Sequence, residues 1–269
     1  MRLTDNLASS IAYLDLYLYP SALNTYISTV SVKGGWIGGE MAIDLNSEIV
    51  KGYGLSAGAS VVGVAASRDF DSAPDGFKPT DVLPECLSVI VLGAAFSPEV
   101  LSDMAEYTAS RNAMLTSVTN IAKDVAKRMK SNGCKIKVIS AAGGKWVDVD
   151  GNGKKEQFGY ISLKHAAEIA GLGVIGKNYL LTNPQFGNLL WLSAVLTDVE
   201  LTPDGKSRAI TCDNCNKCVA SCPVGALDNL TSFGRKGCSK FFTIEDRKFK
   251  IKCYVCRTIC PYRFGMSPA

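Results

Sequence analysis

A cysteine-rich stretch between Thr211 and Arg263 constrains this chain more than any other feature of its sequence. It holds eight of the ten cysteines in a chain of 269 residues. The first run reads Cys212-x2-Cys215-x2-Cys218-x3-Cys222-Pro223, the second reads Cys253-x2-Cys256-x3-Cys260-Pro261, and Cys238 stands between them. The first run matches the bacterial spacing for [4Fe–4S] ligation, in which the fourth cysteine binds the other cluster.

This spacing assigns all eight cysteines to two sites. Three thiolates on one tight loop can bind three irons of a cubane, while the cysteine of the Cys-Pro pair begins a segment that points away. The first cluster would take Cys212, Cys215, Cys218 and Cys260. The second cluster would take Cys222, Cys253, Cys256 and, as its fourth ligand, Cys238. We therefore predict two [4Fe–4S] clusters with four thiolates each.

Other uses of clustered cysteines explain the spacing less well. Zinc sites group Cys-x2-Cys pairs, which would leave Cys218 and both Cys-Pro pairs without a role. A disulfide framework is expected in small secreted domains, whereas these cysteines occupy one stretch of a long chain without a secretion signal. Cys86 and Cys134, outside the stretch, are expected to be small core residues.

The composition is that of an ordinary globular protein, with 47% hydrophobic and 20% charged residues. A net charge of +4 is too small to argue for nucleic acid by itself. Between Arg235 and Arg263, however, nine lysines and arginines face only Glu245 and Asp246. Two interpretations remain open: these cations balance the anionic clusters, or they form a docking face for an acidic electron donor or an RNA.

The N-terminus lacks a basic segment followed by a clean apolar one, and Asp15 interrupts its most apolar part. The longest apolar runs, Cys86–Phe96 and Leu189–Leu196, are too short to span a bilayer. We expect a cytoplasmic protein with no membrane partner.

Hydrophobic periodicity predicts an α/β domain over residues 1–205, followed by a ferredoxin-like module over 206–269. Val61–Ala66 and Ser88–Ala95 are predicted to be buried strands. Helices are predicted for residues 1–30, for 45–57 and, as one long or two consecutive helices, for 98–132. The glycine-rich stretch Lys33–Gly39 is expected to be a plain connector.

Two glycine motifs coincide at Gly171-Leu-Gly-Val-Ile-Gly-Lys177, and both nucleotide-binding interpretations fail. The GxGxxG pattern follows a predicted helix over 161–170, whereas a dinucleotide-binding fingerprint follows a strand. The GxxxxGK pattern has Asn178 where a phosphate-binding loop needs Ser or Thr. A glycine-rich turn remains, whose backbone N–H groups and Lys177 could hold an anionic or amide-bearing ligand.

Two further features receive the simpler interpretation. Asp148-x-Asp150-x-Asn152-Gly153 matches half of a calcium loop, but Gly159 stands where the bidentate glutamate belongs. A β-hairpin turning at Asp150–Gly153 explains the same residues. His165, the single histidine, is expected to be a packed or capping side chain on its helix.

Three segments together resemble the epoxyqueuosine reductases: Ala170–Asn178, Asn183-Pro-Gln-Phe-Gly187 and the cysteine runs. Cys238-Ser-Lys-Phe-Phe-Thr-Ile-Glu245 is similar to that family's single cysteine with its Thr-Ile-Glu segment, and Pro84–Leu92 resembles its first-domain strand. The likeness is dense over 160–263 and weak before that. It implies a nitroreductase-like α/β domain that holds a base-off cobalamin, and two [4Fe–4S] clusters that supply it with electrons, as in corrinoid reductive dehalogenases.

Carried over by position, the resemblance implies that Gly171, Gly173, Gly176, Lys177 and Asn178 line the corrinoid. The sequence departs from the family in three places. No carboxylate aligns with the family's proton donor, whose place falls near Gln157 and Tyr160, and the family's Tyr-His pair is Tyr107-Thr108 here. The chain also stops at Ala269, where the family continues into a helical repeat domain that helps to hold tRNA.

We therefore expect an iron–sulfur oxidoreductase that depends on a corrinoid and acts on a small molecule rather than on tRNA, with Tyr160 as its proton donor by position. Its expected electron donor is a low-potential protein such as a ferredoxin or flavodoxin. One alternative is a non-catalytic electron carrier or corrinoid reductive activator. Another, based on the basic C-terminal stretch, is a minimal tRNA-modifying epoxyqueuosine reductase.

Overall fold

The computed structural model describes residues 34–37, 40–148, 151, 153, 155–207, 212, 215–228, 230–231, 234–235, 237–245 and 248–266. The helix predicted for residues 1–30 lies outside these ranges. The α-helices are α1 (Ser47–Ser56), α2 (Pro79–Val82), α3 (Met104–Lys130), α4 (Leu163–Ile169), α5 (Lys217–Ala220) and α6 (Val255–Thr258). Short 3₁₀ helices cover Ser67–Phe70, Pro98–Leu101 and Cys238–Phe241.

In chain order, the earlier strands are β1 (Gly34–Ile37), β2 (Glu40–Ile43), β3 (Val61–Ala66), β4 (Ser88–Ala95), β5 (Ile136–Ile139), β6 (Lys145–Val147) and β7 (Glu156–Phe158). The later strands are β8 (Val174–Ile175), β9 (Leu181–Thr182), β10 (Leu190–Thr197), β11 (Leu230–Thr231), β12 (Gly234–Arg235), β13 (Phe242–Glu245) and β14 (Lys248–Ile251). The bounds of β3 and β4 are those predicted from the sequence.

The two main helices begin at side-chain caps. The Asn46 side chain accepts a hydrogen bond from the Ile49 N–H at 3.0 Å and opens α1. The Asp103 carboxylate accepts one from the Glu106 N–H at 2.8 Å and opens α3. Such caps satisfy backbone donors that have no partner in the first helical turn. The stretch predicted as one or two helices is a 3₁₀ turn followed by α3.

The central sheet has four strands in the order β3-β4-β10-β5, and every neighbouring pair is antiparallel. Along β4, Val89 and Val91 face one side of the sheet, while Ile90 and Leu92 face the other. The first side is covered by α4, and the second by α1 and α3. Helices therefore cover both faces of the sheet, which confirms a mixed α/β fold.

A glycine on β3 brings α4 close to the sheet. A Cβ on Gly63 would lie 2.5 Å from the carbonyl oxygen of Ala170, the residue after α4. Only a residue without a side chain allows this approach. The glycine turn that follows α4 therefore starts at the surface of the sheet.

A third apolar cluster joins the sheet to the cysteine-rich stretch. It contains Phe96 and Tyr107 from the α/β domain and Ile251 from β14. The ring centroids of Tyr107 and Tyr254 are 5.2 Å apart. This packing fixes the second cysteine run against α3.

Two hairpins bear on the sequence predictions. Strands β6 and β7 pair antiparallel across the half calcium loop, which confirms the predicted hairpin, although Asp150 and Asn152 in its turn lie outside the described residues. Strands β1 and β2 also pair, with Trp36 opposite Met41. The expectation of a plain connector at Lys33–Gly39 is therefore wrong, because its Trp-Ile segment forms strand pairs.

In the part of the chain that the structure describes, no helix is long and apolar enough to cross a membrane.

Candidate metal centre

Two one-turn helices bring the cysteine runs together. Helix α5 contains Cys218 and helix α6 contains Cys256, and the two helices pack against each other. Each run therefore contributes to the surroundings of both groups of cysteines.

The first group surrounds a small cavity. Its thiols are those of Cys212, Cys215, Cys218 and Cys260, so three come from the first run and one from the second. The enclosed space is about 20 Å³, close to the room that one water needs. The grouping follows the assignment made from the spacing, and iron binding stays a prediction.

The glycine turn after α4 forms one wall of this cavity. A Cβ on Gly176 would lie 3.1 Å from Asn178 Oδ1 and 3.7 Å from Cys212 Sγ. The backbone N–H of Lys177 donates a hydrogen bond to Cys212 Sγ at 3.5 Å. Hydrogen bonds from backbone N–H groups stabilise a thiolate relative to a thiol. The turn therefore acts directly on a cysteine of the first run.

Asn178 connects the same turn to the second run. Its side chain is buried, with 2% exposure. Its Nδ2 donates to the carbonyl of Cys256 at 3.1 Å, and its Oδ1 accepts from the N–H of Leu180 at 3.1 Å. One buried amide thus fixes the turn and positions the backbone of a cysteine.

The other glycines of the turn are explained by contacts within the chain. Gly171 and Gly173 have positive φ angles of 74° and 153°. A Cβ on Gly171 would collide with the carbonyl of Gly205, and one on Gly173 with the carbonyl of Thr182. The Lys177 Nζ donates to Asn216 Oδ1 at 2.9 Å. That these residues line a corrinoid stays a prediction, since these contacts account for them without one.

The second group of cysteines lines a larger cavity of about 320 Å³. Its thiols are those of Cys222, Cys238, Cys253 and Cys256, which is the set assigned to the second cluster. Cys222 Sγ accepts a hydrogen bond from the N–H of Ala226 at 3.3 Å. Tyr107 and Trp191 close the cavity on the side of the α/β domain.

Two buried arginines also line the second cavity. Arg111 is 9% exposed and Arg257 is 5% exposed. The guanidinium of Arg111 contacts two rings, with its Cζ 4.8 Å from the centroid of Trp191 and 4.3 Å from that of Phe249. Its Nη1 has no hydrogen-bond partner. Burial lowers the pKa of Arg111, and the nearby charge of Arg257 lowers it further.

Thiols of both groups act on Cys218. Burial raises the pKa of Cys218, and the thiols of Cys212 in its own group and of Cys256 in the second group raise it further. Burial likewise raises the pKa of Cys260. Metal ligation requires thiolates. In this buried group a bound metal cation would stabilise the negative thiolates, as water does for exposed ones.

The geometry also bears on the zinc and disulfide interpretations. The described residues include all ten cysteines, and none of these forms a disulfide. Among the described residues, no three cysteine, histidine or carboxylate side chains converge as the ligands of one metal ion do. In a zinc site four ligands surround a single ion, whereas each thiolate of a cubane binds a different iron. The preference for iron over zinc therefore rests on the spacing of the cysteines in the sequence.

An open groove of about 1,260 Å³ runs between α3 and β14. Thr108, Asn112 and Thr116 line it at helical spacing on α3. Ile251 lines both this groove and the second cavity. The two spaces are therefore neighbours.

The structure places the remaining candidates away from the thiols. Tyr160 is 42% exposed and lines neither cavity nor the groove, so it is not brought to the cysteines. The ring of His165 lies with Nδ1 2.6 Å from Ser162 Oγ, and burial lowers its pKa. Cys86, 3% exposed, belongs to the apolar core, as predicted.

Sequence reasoning missed three residues at the second cavity: Arg111, Asn188 and Tyr107. Tyr107 was noted only as a departure from a family pair, although its position on the middle helix was a signal. Arg111 has no local signal, because its neighbours Trp191 and Phe249 come from distant segments.

Comparison with known proteins gives this geometry a context. No protein-family model matches the chain. The epoxyqueuosine reductase of Bacillus subtilis is 25% identical over 255 residues, which cover 82% of this chain and 64% of that protein. The chain thus spans less than two thirds of this relative's length.

Two solved structures share the fold. An epoxyqueuosine reductase with a modified tRNA stem loop gives a TM-score of 0.53 at 18% identity, over 82% of this chain and 66% of that one. A reductive dehalogenase described as supporting B12-dependent dehalogenation gives a TM-score of 0.53 at 18% identity, over 82% of this chain and 29% of that one. The fold is thus that of a group of reductases. Within it, the chain is a distant homologue of epoxyqueuosine reductase and is structurally similar to reductive dehalogenases.

Proposed function

We propose that this protein is an iron–sulfur oxidoreductase that uses a corrinoid to reduce a small-molecule substrate. One observation carries the proposal: eight cysteines, seven from the two runs and Cys238 between them, are grouped four and four, and each run gives one cysteine to the other group. Two four-thiolate sites with this exchange are typical of two-cluster ferredoxins. The names of the relatives, which are reductases, support the same reaction class.

The residues around the thiols support cluster binding. Backbone N–H groups of Lys177 and Ala226 donate to Cys212 and Cys222, and hydrogen bonds to cluster sulfurs are one means of tuning potential. Asn178 holds the carbonyl of Cys256. The two N–H bonds orient one cysteine of each group, and the Asn178 bond positions the backbone of a further cysteine of the second group.

The groove beside α3 is where we propose that the corrinoid lies. Pockets for drug-sized ligands measure about 300–1,000 Å³, and the groove of about 1,260 Å³ exceeds them. The hydroxyls of Thr108 and Thr116 would face the amides of the macrocycle, while the Asn112 amide bonds the backbone of Phe249 and fixes β14 beside α3. The shared residue Ile251 puts the groove beside the second cysteine group. When bound, the clusters supply single electrons and the corrinoid supplies a cobalt centre for the reduction.

The test is anaerobic titration of cobalamin into iron-replete protein, followed by absorption and by retention through gel filtration. Thr116→Phe fills the groove and should abolish retention. Ser117→Phe is the matched control, because Ser117 is the next residue of α3, is exposed and does not line the groove. Retention by the Thr116 variant, with loss in Gly176→Ala, would favour the glycine turn instead. No retention by the wild type would favour a non-catalytic electron carrier.

A further inference from the structure

Arg111 carries a buried charge that the described part of the chain does not neutralise. Its side chain is buried by more than nine-tenths, lines the second cavity, and has an Nη1 atom without a partner. The rings of Trp191 and Phe249 contact the guanidinium, and neither carries a negative charge. Arginine stays protonated throughout the physiological range, so its unpartnered N–H group can meet an anionic ligand.

Arg257 adds a second cation without a counter-charge. It donates to the neutral amide oxygen of Asn188 at 3.3 Å. Neither Arg111 nor Arg257 forms an ion pair with a described carboxylate, and no described Asp or Glu lines the cavity. Buried charges are normally paired, because an unpaired one costs several kcal/mol. This cavity therefore requires an anion.

The cysteines themselves provide that anion. Four thiolates around a cubane core make the group anionic, and Cys222, Cys238, Cys253 and Cys256 line the same cavity as the two arginines. The first cavity is different, since no described lysine or arginine lines it, and the guanidinium that reaches its cysteines, Arg263 at the carbonyl of Cys260, is only partly buried. Among the described residues, two buried cations thus border the second group, and no buried cation borders the first.

We propose that Arg111 and Arg257 neutralise the second cluster and raise its reduction potential above that of the first. The inference rests on the proposed function, since it requires both clusters. A reduced cluster carries one more negative charge than an oxidised one, so nearby cations stabilise the reduced form more. Electrons therefore move from the first group towards the second, which borders the groove. Arg111 acts here through its fixed positive charge, and no proton is transferred to or from its guanidinium.

The test is an EPR-monitored redox titration of the iron-replete protein under anaerobic conditions. In the wild type the two clusters should titrate at separate potentials. Arg111→Gln should lower only the higher of the two reduction potentials. At a fixed applied potential, the ratio of reduced to oxidised second cluster should fall by about tenfold or more, which is the scale of one buried charge. Arg111→Lys, which keeps the charge, should stay near the wild type. Arg128→Gln is the matched control, an exposed arginine on the same helix.

Three results would overturn the inference: unchanged potentials in the Gln variant, equal shifts of both clusters, or equal shifts in the Gln and Lys variants. If the Gln variant loses iron, retention of both clusters by the Lys variant supports the inference, and loss in both variants overturns it. A wild type without iron would instead refute the proposed function itself.

Discussion

Asn188 and Arg257 bond to each other in both directions. Asn188 Nδ2 donates to the carbonyl of Arg257 at 3.1 Å, and Arg257 Nη1 donates to Asn188 Oδ1 at 3.3 Å. Asn188 is the residue after the turn at 183–187 and is 1% exposed. The pair ties the start of the central strand β10 to the helix that carries Cys256. These two hydrogen bonds thereby connect the central sheet to the cysteine-rich module.

Replacing Asn188 tests this connection. Asn188→Ala leaves a buried carbonyl and a buried guanidinium N–H without partners, each of which costs about 1–3 kcal/mol. We expect a lower free energy of unfolding, measured with urea under anaerobic conditions. Asn120→Ala, at an exposed amide on α3, should change it by less than about 0.5 kcal/mol. Equal effects of the two substitutions would contradict a linking role for Asn188.

The exchange of cysteines between the runs makes a prediction about iron. The wild type should carry about eight irons, from two cubanes. Cys260→Ala should remove the cluster of the first group, and Cys222→Ala that of the second, so each variant should fall to about four irons or fewer. Cys134→Ala, outside both groups, should keep them all. Zinc in place of iron, or Cys238 open to alkylation in the wild type, would rule out this assignment.

Gly173 provides a test of the glycine turn. The sequence alone predicts that Gly173→Val blocks a corrinoid and leaves the iron content unchanged. In the structure, a Cβ there collides with the backbone carbonyl of Thr182 at a φ of 153°, so we expect loss of stability by more than about 2 kcal/mol together with loss of iron. Gly52→Ala is the control, because nothing lies within 4 Å of its Cβ position in α1. It should stabilise the protein by up to about 1 kcal/mol. A stable Gly173 variant with full iron would contradict the structure.

His165 predicts how stability depends on pH. Burial lowers its pKa below the ordinary value, and Lys164 lowers it further. The unfolded chain therefore binds a proton more readily than the folded one, so the contribution is fully present above the unfolded pKa of about 6.5 and is lost as pH falls through the folded value. The thermal midpoint should decrease below about pH 6.5, and His165→Gln should remove this part of the slope. If the pH dependence of the thermal midpoint is unchanged in that variant, a group other than His165 is responsible for it.

Local signals account for what the sequence predicted well. The β-branched runs at Val61–Ala66 and Ser88–Ala95 are bounded by loops, so their limits can be read directly. The cysteine spacing predicts two four-thiolate clusters, and the same two sets of thiols line the two cavities; that they bind iron stays a prediction. Contacts between distant segments account for the rest. Gly176 has the pattern of a ligand-binding turn, yet its close neighbour is Cys212, and no local pattern announces that Arg111 is buried.

The packing of α5 on α6 also has a consequence for when the two cysteine groups can form during synthesis of the chain. The first group lacks its fourth cysteine until Cys260 has been synthesised, and the second lacks its last two members until the chain has reached Cys253 and Cys256. During translation the first run is therefore a loop of exposed thiols, open to oxidation or to the wrong metal. Neither group is complete before the second run has been synthesised, so the insertion of both clusters has to follow synthesis of that run.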